Sequence, residues 1–161
     1  AVQTADFLLT RLRNDQGQLL RTFRKDQAKI PAYLDDYAFL IESFLALHLA
    51  TENNRWLSEA VRLTDQCLKD FSDEQQAGLY FTSKQHEQLL ARTKDPFDGV
   101  LPSGNSVMAR NLIVLAKRTG NETYHERATK LIRSFTPFMQ HAPGAMTNMA
   151  IAVDVLLKKA P

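Results

Sequence analysis

"LHLATENNRWLSEA" (Leu47–Ala60) and "LAKRTGNETYHERA" (Leu115–Ala128) are one piece of sequence written twice. A shift of 68 residues sets Leu47 on Leu115, Thr51 on Thr119, Asn53 on Asn121, Ala60 on Ala128 and Leu63 on Leu131. Trp56 meets Tyr124, and Arg62 meets Lys130. Each copy reads as the end of one helix, a tight polar turn and the start of another, so the period marks a stacked structural repeat. Asn121-Glu-Thr matches a glycosylation sequon, yet in that turn it reads as a helix cap.

Outward from the two turns, two kinds of helix alternate. Tyr33–Ala50 is apolar on nearly every side, interrupted by Asp35, Asp36, Glu42 and His48, and Ser103–Thr119 carries the dense block Leu112–Ala116. Such helices are buried all round. Asn54–Phe71 instead puts Trp56, Ala60, Leu63, Cys67 and Phe71 on one face. Tyr124–Met139 does the same through Ala128, Leu131, Ile132 and Phe135, with Pro137 breaking its end. Ala1–Arg13 has a one-sided stripe, and Ala145–Lys158 is mostly apolar, broken by Asp154. Within residues 14–31, "LLRTFR" has the composition of a short strand.

The simple physical solution is an inner ring of helices covered by an outer ring. The expected fold is all-α: one domain over residues 1–161, part of an (α/α) toroid with about three helical hairpins. Parallel inner helices would share one rim for their N-termini. The connections 14–32 and 72–102 would meet there as short β-like excursions, opened by Gly17 and Gly78.

Composition excludes several classes. The 161 residues are 44% hydrophobic and 24% charged, with a formal charge of +2. Basic and acidic residues are interspersed, which is no nucleic-acid footprint. The longest apolar runs fall far short of a membrane span. The lone Cys67 rules out an intrachain disulfide and reads as a small buried hydrophobe in a reducing, cytoplasmic setting. The chain opens inside a helix without Met, as a fragment or processed piece would.

Candidate chemistry gathers where the rim is expected. In "RTKDPFDGVLPSGNS" (Arg92–Ser106), Asp95 and Asp98 lie three apart, and Asp35 and Asp36 begin an inner helix. Carboxylates converging on a cavity serve as acid and base, or as nucleophile and acid in glycoside hydrolysis; the same residues also serve as helix caps and turn formers. Asp36, Asp95 and Asp98 are the catalytic candidates. Ser103, Asn105 or Ser106 caps a helix, with Gly104 supplying an unusual backbone angle. Alternatively, that helix start offers N–H groups to an anionic or hydroxyl-rich ligand. Arg92 clamps a carboxylate or phosphate, or pairs with a nearby Asp. Tyr37, Phe81 and Phe97 are the aromatics expected at the rim. His48, His86, His125 and His141 lack ligand spacing, so no metal is expected; no nucleotide or cofactor fingerprint occurs either.

"LDDYAFLIESFLALHLAT" (Leu34–Thr51), "GLYFTS" (Gly78–Ser83) and the run from Arg92 to Gly120, with its "KD..DG..PSGNS" pattern, resemble the thioredoxin-domain-containing family of the spermatogenesis-associated protein 20 type. The likeness extends over about residues 1–135. It implies a longer chain, in which a thioredoxin-like domain absent here precedes a helical toroid similar to N-acylglucosamine 2-epimerases and six-hairpin glycosidases. This chain would be about half of that toroid. By fold analogy the resemblance favours a domain that acts on or binds a sugar. Asp36, Asp95 and Asp98 would then carry acid/base roles, and Tyr37, Arg92, Phe97, Ser103 and Asn105 would hold the ligand. The alternative is a non-catalytic helical scaffold beside the redox domain. Asp35-Asp36 stands where Glu-Asp is common, Ala77-Gly78 replaces Gly-Gly, and Val100 replaces Ala with an expected slight crowding of the loop. An open half-ring would expose apolar surface and favour self-association.

Overall fold

The computed structural model describes residues 1–86 and 91–158, so residues 87–90 of the long connection lie outside it. The chain runs α1 (Val2–Arg11), β1 (Leu20–Arg24), β2 (Gln27–Pro31), α2 (Leu34–Thr51), α3 (Asn54–Phe71), α4 (Gly104–Thr119), α5 (Glu122–Ser134), α6 (Thr136–His141) and α7 (Thr147–Leu157). A single 3-10 turn, Pro143–Ala145, separates the last two helices.

The repeat holds atom for atom at its turns. Thr51 and Thr119 each donate the side-chain hydroxyl to a carbonyl four residues back, both at 2.7 Å. Asn53 and Asn121 each cap the next helix by accepting an N–H two residues on, both at 3.0 Å. The residue between them is left-handed in both copies, Glu52 at φ 54° and Gly120 at φ 69°. Glycine is at home in that geometry and glutamate is not.

Packing separates two layers. α2, α4 and α7 pack side by side, α3 backs α2, and α5 backs α4. Trp56 of α3 stacks on Phe44 of α2 at 5.6 Å between ring centroids, and Phe71 meets Tyr37 edge-on at 5.3 Å. Ala60 and Ala128, small residues at equivalent positions, are fully buried and let the helices approach closely. The outer helices are linked by Arg13–Glu59 (2.8 Å) between the end of α1 and α3, and by Tyr124–Asp65 (2.7 Å) between α5 and α3.

Inner helices α2 and α4 run parallel. Their starts abut at Leu34, Asp35 and Gly104. One turn on, Asn111 donates to the Ala38 carbonyl at 2.8 Å, and Arg110 pairs with Glu42 at 3.2 Å. α7 begins at the same rim, beside the loop that leads into α4.

Two local readings change. "LLRTFR" is a strand as expected, but "QAKIP" is its antiparallel partner, joined through Lys25 and Asp26, both at positive φ. Neither turn residue is a glycine, so the usual hairpin signal is missing. The helix expected over Tyr124–Met139 stops at Ser134, and Pro137 sits in the first turn of the short α6. Proline is tolerated there because the first N–H groups of a helix need no partner within it.

Candidate functional site

The rim where α2, α4 and α7 begin is built by side chains that satisfy backbone groups. Tyr37 and Asn105, one repeat apart, do the same job. Tyr37 is 2% exposed, its hydroxyl accepts the Leu19 N–H at 3.0 Å, and burial pushes that hydroxyl up to about 12. Asn105 is fully buried; it accepts the Leu79 N–H at 2.9 Å and donates to the Leu79 carbonyl at 3.0 Å. Leu19 and Leu79 lie in the two rim excursions, each paired in an antiparallel bridge with a residue one or two places past the end of an outer helix, Arg13 and Ser72 respectively. Each inner helix therefore anchors the excursion that precedes it. The expected ligand roles of Tyr37 and Asn105 meet groups already engaged inside the protein.

Asp98 is likewise committed. Its two oxygens accept the Ser103 N–H at 2.9 Å and the Asn148 N–H at 2.8 Å, while its own N–H donates to the Ala145 carbonyl at 2.8 Å. Ser103 is buried and caps α4 by accepting the Ser106 N–H at 3.2 Å. Arg92 does not pair with an aspartate. It donates to the Thr82 carbonyl at 3.0 Å and the Asp70 carbonyl at 3.2 Å, and it lies 4.2 Å over the Tyr80 ring. Nearby Lys94 pairs with Asp73 at 2.8 Å, holding the second excursion from below.

Three candidates keep open surface. Asp36 accepts the Tyr33 N–H at 2.9 Å as part of the α2 cap and meets Arg21 at 3.4 Å. Asp95 is exposed and accepts the Phe97 N–H at 3.1 Å, a short local turn. Phe97 is 43% exposed, with its ring edge-on to Phe138 at 5.9 Å. Val100 stands wholly in solvent, so valine there crowds nothing.

The carboxylate that the candidate set omitted is Asp35. Burial raises its pKa above the ordinary carboxylate value, and the charges of Asp95 and Asp36 push the same way; the Gly104 N–H and Arg21 act against them. Gly104 is glycine for space, not for an unusual angle. A Cβ there would collide with Asp35 Oδ1 and lie 2.8 Å from Leu34 Cγ. Asp35 thus sits at the seam of two parallel helix starts, within reach of the charge of Asp95. Sequence placed Asp35 and Asp36 together at a helix start, but only the neighbouring helix distinguishes them.

Clefts lie elsewhere on the described surface. One of about 330 Å³ separates the end of α3 and residues 72–79 from α5. A small one of about 30 Å³ touches Tyr37, Asp70 and Ser83. An apolar groove of about 490 Å³ runs between α1 and α2. None of these three is lined by Asp36, Asp95 or Asp98. Among the described residues no group of three or more His, Cys, Asp or Glu could hold a metal ion, and no helix is long and apolar enough to cross a membrane.

No family model matches the chain. It is 37% identical over 124 residues to spermatogenesis-associated protein 20 of Homo sapiens, and 37% identical over 119 residues to the protein of that name in Mus musculus. The chain belongs to the spermatogenesis-associated protein 20 family. The human match covers 76% of this chain and 16% of the relative, and the mouse match 73% and 15%. The chain thus spans about one sixth of the length of these family members. An uncharacterised protein of Caenorhabditis elegans is 28% identical over 148 residues, 87% of this chain and 20% of that protein.

Proposed function

We propose that this segment is one wall of an (α/α) toroid that handles a carbohydrate in a longer protein. Its ligand edge is the rim where the inner helices begin. Asp35 and Asp95 are its acid/base pair. The observation that carries the reading is Asp35 itself: half-buried at the seam with its Oδ1 close against Gly104 at the start of α4, its pKa raised by burial and by the charges of Asp95 and Asp36. A carboxyl with a raised pKa suits a general acid, and a second, exposed carboxyl suits a base or nucleophile. Asp36, which caps α2 and meets Arg21, sits beside this pair as a charge neighbour. Asp98, Ser103, Asn105, Tyr37 and Arg92 build the rim. Phe97 offers an open ring face of the kind on which sugars pack. The carbohydrate class comes from fold analogy with epimerases and six-hairpin glycosidases. A thioredoxin-like domain is proposed for the polypeptide beyond these residues.

The experiment is a sugar-turnover screen on the longer protein, repeated with Asp35→Asn and Asp95→Asn. Each variant should lose about 10²-fold or more in turnover while still binding sugar. Unchanged turnover in both would favour the second reading, a non-catalytic scaffold. That alternative has its own support in Asp98 and Asn105, whose polar groups are fully engaged in holding the fold.

A further inference from the structure

The groove between α1 and α2 has two walls, and the repeat supplies a covered counterpart for each. On the α2 wall, Leu40, Ser43, Phe44 and Leu47 correspond to Met108, Asn111, Leu112 and Leu115 of α4. The four α4 residues are buried, and Asn111 reaches across to the Ala38 carbonyl of α2. Ser43, in the place of Asn111, is exposed. What covers this face in the second copy is an inner helix.

The α1 wall has a counterpart in α3. The bridge residues Arg13 and Ser72 are equivalent, so Ala1, Thr4, Ala5 and Leu8 correspond to Ala60, Leu63, Thr64 and Cys67. Those four are fully buried in the α2–α3 hairpin, on the face that packs against inner helix α2. In α1, Ala1 and Thr4 are exposed and Leu8 is half-buried. Two independent correspondences therefore point to one kind of occupant.

We infer that the groove seats a further inner helix of this repeat. It is apolar on nearly every side, lies alongside α2 with its start at the same rim, and comes from polypeptide outside these 161 residues. The human relative, of which the match takes up only 16%, has ample chain to provide one. The seated helix would pair with α1 as α2 pairs with α3, and would cover Ser43 as α2 covers Asn111. This inference rests on packing alone and does not depend on the sugar reading.

Thiol labelling tests it. Ser43→Cys places a reactive group in the groove, and the native Cys67 is fully buried with its thiol pushed up by burial, so it stays silent. In the 161-residue chain, the introduced thiol should react with a charged maleimide at the rate of an exposed cysteine. In the longer protein it should be slowed by about 100-fold or more. Ser58→Cys, exposed on α3, serves as the control that labels equally in both. Equal labelling of the Ser43→Cys variant in the two proteins overturns the inference. So does protection that appears only at high concentration of the short chain and is missing from the longer protein, because the occupant would then be a second copy.

Discussion

Asp98 accepts the Asn148 N–H at 2.8 Å, across 50 residues of sequence. Its other oxygen holds Ser103, so one carboxylate joins the starts of α4 and α7. Asp98→Ala frees both N–H groups at once and should cost about 2–4 kcal/mol of stability in urea unfolding. Asp98→Asn keeps only one acceptor oxygen and should recover part of the loss. A cost under about 0.5 kcal/mol for the alanine variant would refute the brace.

Asn105 offers a second measurement of the same kind. Asn105→Leu removes a donor and an acceptor from the Leu79 backbone in a fully buried place. The unpaired groups should cost about 2–4 kcal/mol. Hydrogen exchange at the Leu79 amide should accelerate with the loss. Unaltered exchange would mean that Asn105 does not anchor the excursion.

Gly104→Ala tests the seam between α2 and α4. The added methyl meets Oδ1 of the half-buried Asp35 and the buried Leu34, so one or both must shift. A loss of about 1–3 kcal/mol is expected. The double variant with Asp35→Ala should be less than additive, because it clears one of the two collisions.

Glu52 and Gly120 are paired probes of the repeat. Glu52→Gly relieves a left-handed residue and should stabilise by about 1 kcal/mol, while Gly120→Ala should destabilise by a similar amount. Thermal unfolding reads both. The same sign for both changes would contradict the equivalence of the two turns.

The pH dependence follows from Asp35. Its folded-state pKa lies above the ordinary value, so the unfolded chain ionises first as pH rises. This contribution to stability is full below the ordinary carboxylate range and is lost as pH climbs through the raised value. Asp35→Asn lacks the titration, so its stability relative to the parent should increase as pH rises through and above the ordinary carboxylate range. A parent-minus-variant difference that is flat over that range, or that slopes the other way, would remove the basis for treating Asp35 as an acid.

Much of this was readable in the chain. The helices of the two repeats, the Asn121 cap and the first strand of the hairpin were all apparent before any coordinate. They depend on contacts two to four residues apart and on which face is apolar. Asp95, Asp98 and Asn105 were likewise singled out as one cluster. What each does was not readable, because it depends on which N–H arrives from elsewhere: Leu79 to Asn105, Asn148 to Asp98. A carboxylate aimed at a ligand and one aimed at a backbone amide have the same letter. Sequence by itself settled the repeat, the alternation of wholly apolar with one-sided helices, and the polar turns between them, since burial periodicity and caps are local physics. Only tertiary packing decided that α2 and α4 lie parallel, that Asp35 rather than Asp36 faces the seam, and that Tyr37 and Arg92 bond to backbone groups. Desolvation and hydrogen-bond satisfaction are properties of the assembled surface, and no residue carries them alone.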